Sequence, residues 1–374
     1  MKKLKLMQIL PSMRSGGVEQ GTLDVANYLA SLEIKNYICS NGGQMLSYLN
    51  KKNVTHINLP VHSKNFFMMP FVAKKINSIL KERGINILHF RSRAPSWLLP
   101  FLNNINLKTV STFHNVYGNQ NVFKRIYNSQ LGKVDKIVAI SNYVKYAIIN
   151  NYNLNEEKIT VINRGIDTDY FDSGVKKEEN LIRFIKKFNI DLEKKIILYP
   201  GRLTAWKGQI EFLNIIEYFK GESVMFYFVG DDKNKSYLES FNKKINNKNL
   251  NIECRILGHL NKEELKIMYL CSNLVISAPL KPEGFGRVIS ESLSMKKIIL
   301  AYNIGGAKDQ LSSLDEIYKI ENQDNNEMIS KIKTVLNFDE SHILNLGNIA
   351  RNHVINNFSK KNMLNSYLNL YQEL

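Results

Sequence analysis

The sequence predicts an α/β protein built as two doubly wound parallel-sheet domains. Three observations carry this. Short apolar runs alternate with segments whose apolar residues recur at helical spacing. Many of those runs end in glycine-bearing or polar loops, where ligands of such sheets lie. The chain has 374 residues, enough for two domains of ordinary size.

Composition narrows the class. Hydrophobic content of 44% and charged content of 23% describe a globular protein rather than a disordered one. No apolar run reaches the eighteen or so residues a membrane span needs. Residues 1–10 are too short and too charged for a signal peptide, so a cytoplasmic protein is expected, with room for a place at the inner face of the membrane. Cys39, Cys254 and Cys271 are scattered without metal or disulfide spacing and read as small buried thiols. The net charge of +17 fits peripheral contact with an anionic membrane or plain Lys-rich composition. No RNA- or DNA-reading motif accompanies it, so a nucleic-acid partner is not expected. No solenoid-length repeat or low-complexity tract is present.

Residues 5–10 read as the first strand. Residues 11–17 form a loop ending in Gly16-Gly17, and a helix follows from Val18. The glycine spacing is not G-x-G-x-x-G, and no Gly-Lys-Ser/Thr follows, which argues against a nicotinamide site or a P-loop. Glu19, at the head of that helix, is a candidate site residue and also well placed for the helix dipole. Strands are expected at 37–40, 54–59, 85–90, 108–113 and 135–140, with a helix over 66–82. His114 ends one of these strands and is placed to meet a ligand. A short strand at 158–162 leads to Asn163-Arg164-Gly165-Ile166-Asp167, and residues 173–193 read as a charged linker.

The second domain opens with a strand at 195–200, followed at once by Gly201-Arg202-Leu203-Thr204-Ala205-Trp206-Lys207-Gly208. Arg202 and Lys207 share this glycine-bounded loop: Arg can fork across two phosphate oxygens, and Lys acts as a point charge. Strands at 224–229 and 255–257 end in Gly230-Asp231 and Gly258-His259. Asn261 starts a helix with Glu264 as its capping-box partner.

An apolar run at 274–277 feeds Pro279-Leu280-Lys281-Pro282-Glu283-Gly284-Phe285-Gly286-Arg287-Val288-Ile289-Ser290-Glu291, and a helix is expected over 288–295. The prolines stiffen the loop. Gly284 and Gly286 permit positive φ and leave no Cβ in a ligand's way. Unpaired N–H groups at the helix start attract an anion. Glu283 and Glu291 cannot lie against that anion, because two unit charges 4 Å apart repel by about 4 kcal/mol at an effective dielectric near 20. They fit hydroxyl-rich flanks instead. Glu291, seven residues into the helix, stands about 10 Å along its axis. An anionic centre with polyol ends describes a nucleotide sugar. The plainer alternative is a Glu291–Arg287 pair at i, i+4 on a wet helix face, with Glu283 as ordinary loop polarity.

The stretch EGFGRVISE resembles the E-x7-E signature of retaining glycosyltransferases of family 4, whose fold is GT-B. SGGVE, the His114 element, N-R-G-I-D-x-x-x-F, G-R-L-x-x-x-K-G and G-G-x-x-D resemble further elements of that family, with Arg164 inserted and Asp309 where Glu is usual. The resemblance implies two Rossmann-like domains facing across a cleft. Residues 1–172 would be the acceptor side, 173–194 a linker, 195–357 the nucleotide-sugar side, and 358–374 a helix packing back on the first domain. Glu283 and His114 would contact the donor sugar and Glu291 the ribose. Backbone of Gly284, Phe285, Gly286, Arg287 and Val288, with Arg202 and Lys207, would hold the diphosphate. Gly16 and Gly17 would face donor and acceptor, and the nucleobase would lie against the Gly258 turn. Glu283, His114, Arg202 and Lys207 would be the catalytic set. No metal or other cofactor is expected, since Arg202, Lys207 and the helix amides would neutralise the diphosphate. The implied activity is retaining transfer of a hexose from a nucleoside diphosphate-sugar to a glycan or lipid-linked acceptor, in cell-surface polysaccharide or lipopolysaccharide synthesis, by a monomer or weak dimer. An epimerase of the same fold and a non-catalytic nucleotide-sugar-binding protein are the alternatives.

Overall fold

The structure is a computed structural model that describes every residue except 1–3, 64, 104–105, 119–120, 175–177 and 232. The chain folds as two compact units. The first runs to Asn163 and takes back Lys361–Leu374; the second is Arg164–Lys360.

The first unit is built on seven parallel strands: β1 (Leu6–Ile9), β2 (Asn36–Ser40), β3 (Val54–Asn58), β4 (Ile87–Phe90), β5 (Lys108–Phe113), β6 (Lys136–Ala139) and β7 (Ile159–Val161), in the order β3-β2-β1-β4-β5-β6-β7. β1, β2 and β4 are buried along their whole length, so that even their polar members Gln8, Asn36, Ser40 and His89 lie inside. The strand order reverses between β1 and β4, so the loops leaving their carboxyl ends flank the switch point.

The last helix, Lys360–Gln372, belongs to this core: Met363, Leu364, Tyr367, Leu370 and Tyr371 are buried with Leu6, Val25, Ile87 and Val110. Its polar anchor is His89, which is fully buried on β4. One ring nitrogen lies 2.6 Å from the Tyr371 hydroxyl and the other 2.7 Å from Thr112 Oγ1. Burial, helped by the nearby Arg91 charge, holds the His89 imidazole well below its ordinary pKa, so it folds neutral.

The second unit carries six parallel strands: β8 (Lys195–Pro200), β9 (Val224–Val229), β10 (Cys254–Gly258), β11 (Leu274–Ser277), β12 (Ile299–Tyr302) and β13 (Lys319–Ile320), in the order β10-β9-β8-β11-β12-β13. β13, only two residues long, carries no readable alternation and was not anticipated from sequence. The reversal here falls between β8 and β11, the strands that feed residues 201–208 and 279–291. The capping box at Asn261–Glu264 is present, with both reciprocal hydrogen bonds. Cys39 and Cys254 are buried, all three cysteines are free thiols, and burial pushes the Cys271 thiol up to about 11.

The division falls between Asn163 and Arg164, not after residue 172 as the sequence reading placed it. Residues 164–172 are stitched into the second unit. Ile166 N–H donates to Phe358 O at 2.9 Å, and the Arg351 guanidinium donates to Phe171 O, Ser294 O and Asp172 Oδ2 at 2.8, 2.6 and 2.7 Å. The expected linker also differs. Glu178–Phe188 is a helix whose Phe184 is buried and whose Lys187 pairs with Glu264 at 2.6 Å. Its apolar residues Leu181, Phe184, Ile185 and Phe188 do follow helical spacing, but the surrounding Glu and Lys masked them. Residues 175–177 of that stretch lie outside the described residues. Among the described residues no helix is long and apolar enough to cross a membrane.

His89 generates a pH prediction. Its folded-state pKa lies below the ordinary 6.5, so below pH 6.5 the unfolded chain binds a proton that the folded chain refuses. Stability from this site is therefore present above pH 6.5 and lost as pH falls, by about 1.4 kcal/mol per pH unit until the folded pKa is reached. His56 and His353 are also held low by burial, so the reading is a difference between chains. Urea unfolding at pH 7.5 and 5.5 should show wild type losing about 1 kcal/mol more than His89→Asn. Equal losses would remove His89 as the source.

Candidate functional site

The second unit's site begins with backbone. Gly201, Gly230 and Gly258 follow or end β8, β9 and β10, where Gly201 N–H donates to Val229 O at 2.7 Å and Gly230 N–H to Gly258 O at 2.9 Å. A Cβ on Gly230 would stand 1.9 Å from Gly201 O, so only glycine fits there. The carboxyl ends of these strands thus form a shelf low in side chains.

Residues 201–208 rise from that shelf and are pinned at several points. Leu203 is fully buried, and its N–H donates to Asp231 O at 3.0 Å. Buried Gln209 donates to Arg202 O at 3.0 Å, and the Tyr199 hydroxyl donates to Lys207 O. Burial drives the Tyr199 phenol well above its ordinary range, so it stays a donor. The two cations of the loop therefore have fixed backbones but different side-chain settings. Arg202 is exposed. Lys207 is mostly buried, with its ammonium 4.8 Å from the Trp206 ring and in an ion pair with Glu283.

Glu283 owes its place to the 279–291 loop. Leu280 N–H donates to Trp206 O at 2.9 Å, tying this loop to the first. Gly306 N–H donates to Glu283 O at 2.8 Å. A Cβ on Gly306 would lie 2.6 Å from Gly284 O, and one on Gly305, whose φ is +59°, 2.6 Å from Glu283 O. The adjacent glycines after β12 are thus required by contact with the Glu283–Phe285 backbone. Gln310, fully buried, staples the same loop: its Nε2 donates to Phe285 O, and its Oε1 accepts from Ser290 Oγ. Gly286, at φ +83°, opens the Arg287–Ser294 helix, which has no side-chain cap. The first amides of a helix are the groups that attract an anion.

Glu291 is 5% exposed and engaged at both oxygens: Arg287 Nη2 donates to one at 2.8 Å and the Tyr269 hydroxyl to the other at 3.3 Å. The i, i+4 pair weighed as the plainer alternative therefore exists. It does not exhaust the carboxylate, which has about four acceptor positions. Burial, reinforced by the Glu291 charge, keeps the Tyr269 phenol well above its ordinary pKa and protonated. Lys262, 3.8 Å from the Tyr170 ring centre, adds a cation held low mainly by burial.

Gly16, Gly17 and His114 belong to the first unit. Gly16 takes φ +133° just after the first loop, and a Cβ there would stand 2.6 Å from the Glu19 carboxylate, which folds back over it. Gly17 is the first residue of the Gly17–Ser31 helix. His114 follows β5 and is half-buried. A cavity of about 810 Å³ opens in this unit, lined by Pro11, Ser92, Arg93, Phe123, Lys124 and Tyr127 among others. Sequence reading missed it, because its walls come from four loops and two short helices with no shared motif. Tyr269 and Gln310 were missed for the same reason: each acts on the 279–291 stretch from about twenty residues away. Among the described residues, no three His, Cys, Asp or Glu stand together as a metal site would require.

Comparison with known proteins places this arrangement. Residues 15–170 match the family model described as Glycosyltransferase Family 4, and residues 182–353 the one described as Glycosyl transferases group 1. The crystal structure of a glycosyltransferase from Rickettsia africae ESF-5 is 35% identical, with a TM-score of 0.90 over 100% of this chain and 99% of that one. Anabaena Alr3699/HepE, solved with UDP and glucose, shares the fold at 16% identity, with a TM-score of 0.81 over 99% of this chain and 100% of its own. The GPI3 subunit of the Saccharomyces cerevisiae phosphatidylinositol N-acetylglucosaminyltransferase is 24% identical over 257 residues, covering 65% of this chain and 54% of that protein. The chain spans about half the length of such curated relatives.

The Lys207–Glu283 pair is testable without any ligand. With side chains only 11% and 20% exposed, it should exceed the 0.2–1 kcal/mol of a surface pair. In a double-mutant cycle of Lys207→Met and Glu283→Gln followed by urea unfolding, a coupling of about 1–2 kcal/mol is expected. Additivity within about 0.3 kcal/mol would show that the two groups do not hold each other.

Proposed function

The chain belongs to glycosyltransferase family 4 and has the GT-B fold, and from that premise we propose that it transfers a sugar from a nucleoside diphosphate-sugar to a glycan or lipid-linked acceptor, with retention at the anomeric carbon. The observation that carries this reading is the placement of Lys207 and Glu283 as neighbours beside the uncapped head of the Arg287–Ser294 helix. A cationic and amide-lined spot next to an acidic one suits a diphosphate joined to a polyol.

Each residue then has a task. Arg202, Lys207 and the first amides of the helix take the negative charge that grows on the diphosphate as the bond to the anomeric carbon breaks. Glu283, relieved of part of its hold on Lys207 by the phosphate, accepts sugar hydroxyls. Glu291, already oriented by Tyr269 and Arg287, receives the ribose. The shelf around Gly258 takes the nucleobase. No nucleophile is needed if the acceptor oxygen attacks on the face the diphosphate leaves. The acceptor proton passes to the departing phosphate oxygen, and the bonding pair leaves with that oxygen. Charge neutralisation comes from side chains and amides, so no metal enters. The cavity between Arg93 and Lys124 is where the acceptor is received. The nucleotide ligands of the Anabaena neighbour support the donor class.

The test is turnover over a panel of nucleotide sugars, with the anomeric configuration of the product read by proton NMR. Arg202→Ala should lower kcat by about 10²–10³-fold. Its melting temperature should not move, because the side chain is exposed. Wild-type turnover in that variant, or an inverted product, would overturn the assignment. Conversion of the donor with no acceptor present would identify an epimerase, and binding without diphosphate release a non-catalytic protein.

A further inference from the structure

The first unit leaves an apolar surface uncovered at the carboxyl ends of its strands. After β3, Phe66, Phe67, Met68 and Phe71 are exposed around the start of the Met69–Arg83 helix, Phe67 at 86%. After β5, Val122, Phe123 and Ile126 are exposed on the Val122–Ser129 helix, Phe123 at 82%. The two groups form one face. Phe66 meets Trp97 edge-on at 6.1 Å, Trp97 stacks on Tyr127 at 5.8 Å, and Trp97 Nε1 donates to Tyr127 O at 3.2 Å. A contiguous apolar patch of this kind marks a docking surface, unlike scattered exposed side chains.

Its charge identifies the partner. Lys74 and Lys75 lie three and four residues beyond Phe71, on the same helix face, and Lys124 and Arg125 sit between Phe123 and Ile126. The surrounding sequence is biased on a larger scale. Residues 34–134 hold fourteen Lys and Arg against a single acid, Glu82, a surplus of 13 in a chain whose total is +17. A partner must accept bulky hydrocarbon and present diffuse negative charge. Met68, Val122 and Ile126 offer no π-face to a nucleic-acid base, and acyl chains suit them.

We propose that this face of the first unit rests on an anionic lipid bilayer, with the Phe66–Phe71 and Val122–Ile126 side chains seated at the headgroup–acyl boundary and Lys74, Lys75, Lys124 and Arg125 against acidic headgroups. The long basic side chains bury their stems and keep their charges at the phosphate level. Docking stands independently of the transferase reading. One consequence rests on it: Phe123 and Lys124 also line the 810 Å³ cavity, so a lipid-anchored acceptor reaches that cavity from the bilayer without crossing water.

Vesicle flotation of the full chain tests this, using phosphatidylcholine vesicles with and without phosphatidylglycerol. Wild type should float with the anionic vesicles, be released by high salt, and stay behind with pure phosphatidylcholine. Phe67→Ser/Phe71→Ser and, separately, Lys74→Gln/Lys75→Gln should each weaken partitioning by about tenfold or more. Their melting temperatures should stay unchanged, since all four side chains are exposed. Failure of wild type to float overturns the proposal. So does flotation of the Phe67→Ser/Phe71→Ser chain equal to wild type, which would leave diffuse charge as the whole cause. Non-floating wild type that dimerises or binds single-stranded DNA, and loses either property in the Phe variant, would assign the face to a second copy or to nucleic acid. Loss of flotation with turnover on a water-soluble acceptor retained separates docking from the transferase reading.

Discussion

Everything at the second unit's site depends on Lys207 and Glu283 neutralising each other. An ammonium only 11% exposed has little water to solvate it, and a carboxylate only 20% exposed has little more. Paired, each makes the other tenable. Under the proposed function the pair also prepares the site for its donor. When a phosphate approaches Lys207, the ammonium can be shared between two anions, and the freed lone pairs of Glu283 become available to hydroxyls. A simple cationic pocket would bind phosphate but offer nothing to a sugar. Under the proposed function, the ion pair is a latent form of two contacts rather than a surface salt bridge.

That pair is possible only because two loops are held at fixed separation by backbone. The Trp206 carbonyl accepts from Leu280, and the Glu283 carbonyl accepts from Gly306. Both loops leave strands that flank the reversal of strand order between β8 and β11, the place where neighbouring strands send their connections to opposite faces of the sheet. The sheet supplies the crevice. Gly305, Gly306 and Gln310 set its depth, because any side chain at the two glycines would push the 283–285 backbone outward.

This division of labour explains what the sequence disclosed. The strands were legible because burial on both faces leaves unbroken apolar runs, and β8, β9 and β11 fall where those runs do. Glu283, Lys207 and the loop glycines were legible because each lies within a few residues of a strand end, where a short motif captures the geometry. Tyr269 and Gln310 were not, since their contacts span 22 and 20–25 residues and nothing local marks them. The unit boundary was misplaced because residues 164–172 look like the tail of a strand series. Contacts from far along the chain, the Arg351 guanidinium some 180 residues away and the Phe358 carbonyl, reveal where they pack. The 810 Å³ cavity is a product of topology alone.

Charge was the signal most nearly missed, because an average conceals it. A net +17 spread evenly would speak only of composition. With 13 of those charges gathered in residues 34–134, the remaining 273 residues carry just +4. The unit with Arg202, Lys207 and the helix amides is therefore close to neutral, and the anion binding proposed for it rests on local geometry, not on a general positive field. The converse holds for the first unit. Lys74, Lys75, Lys124 and Arg125 of its surplus are exposed beside exposed aromatic and aliphatic side chains. A surplus of that size costs self-repulsion in the folded state. One small anion cannot offset it, whereas an extended negative surface can, and the same surface would cover the apolar rings that water now meets.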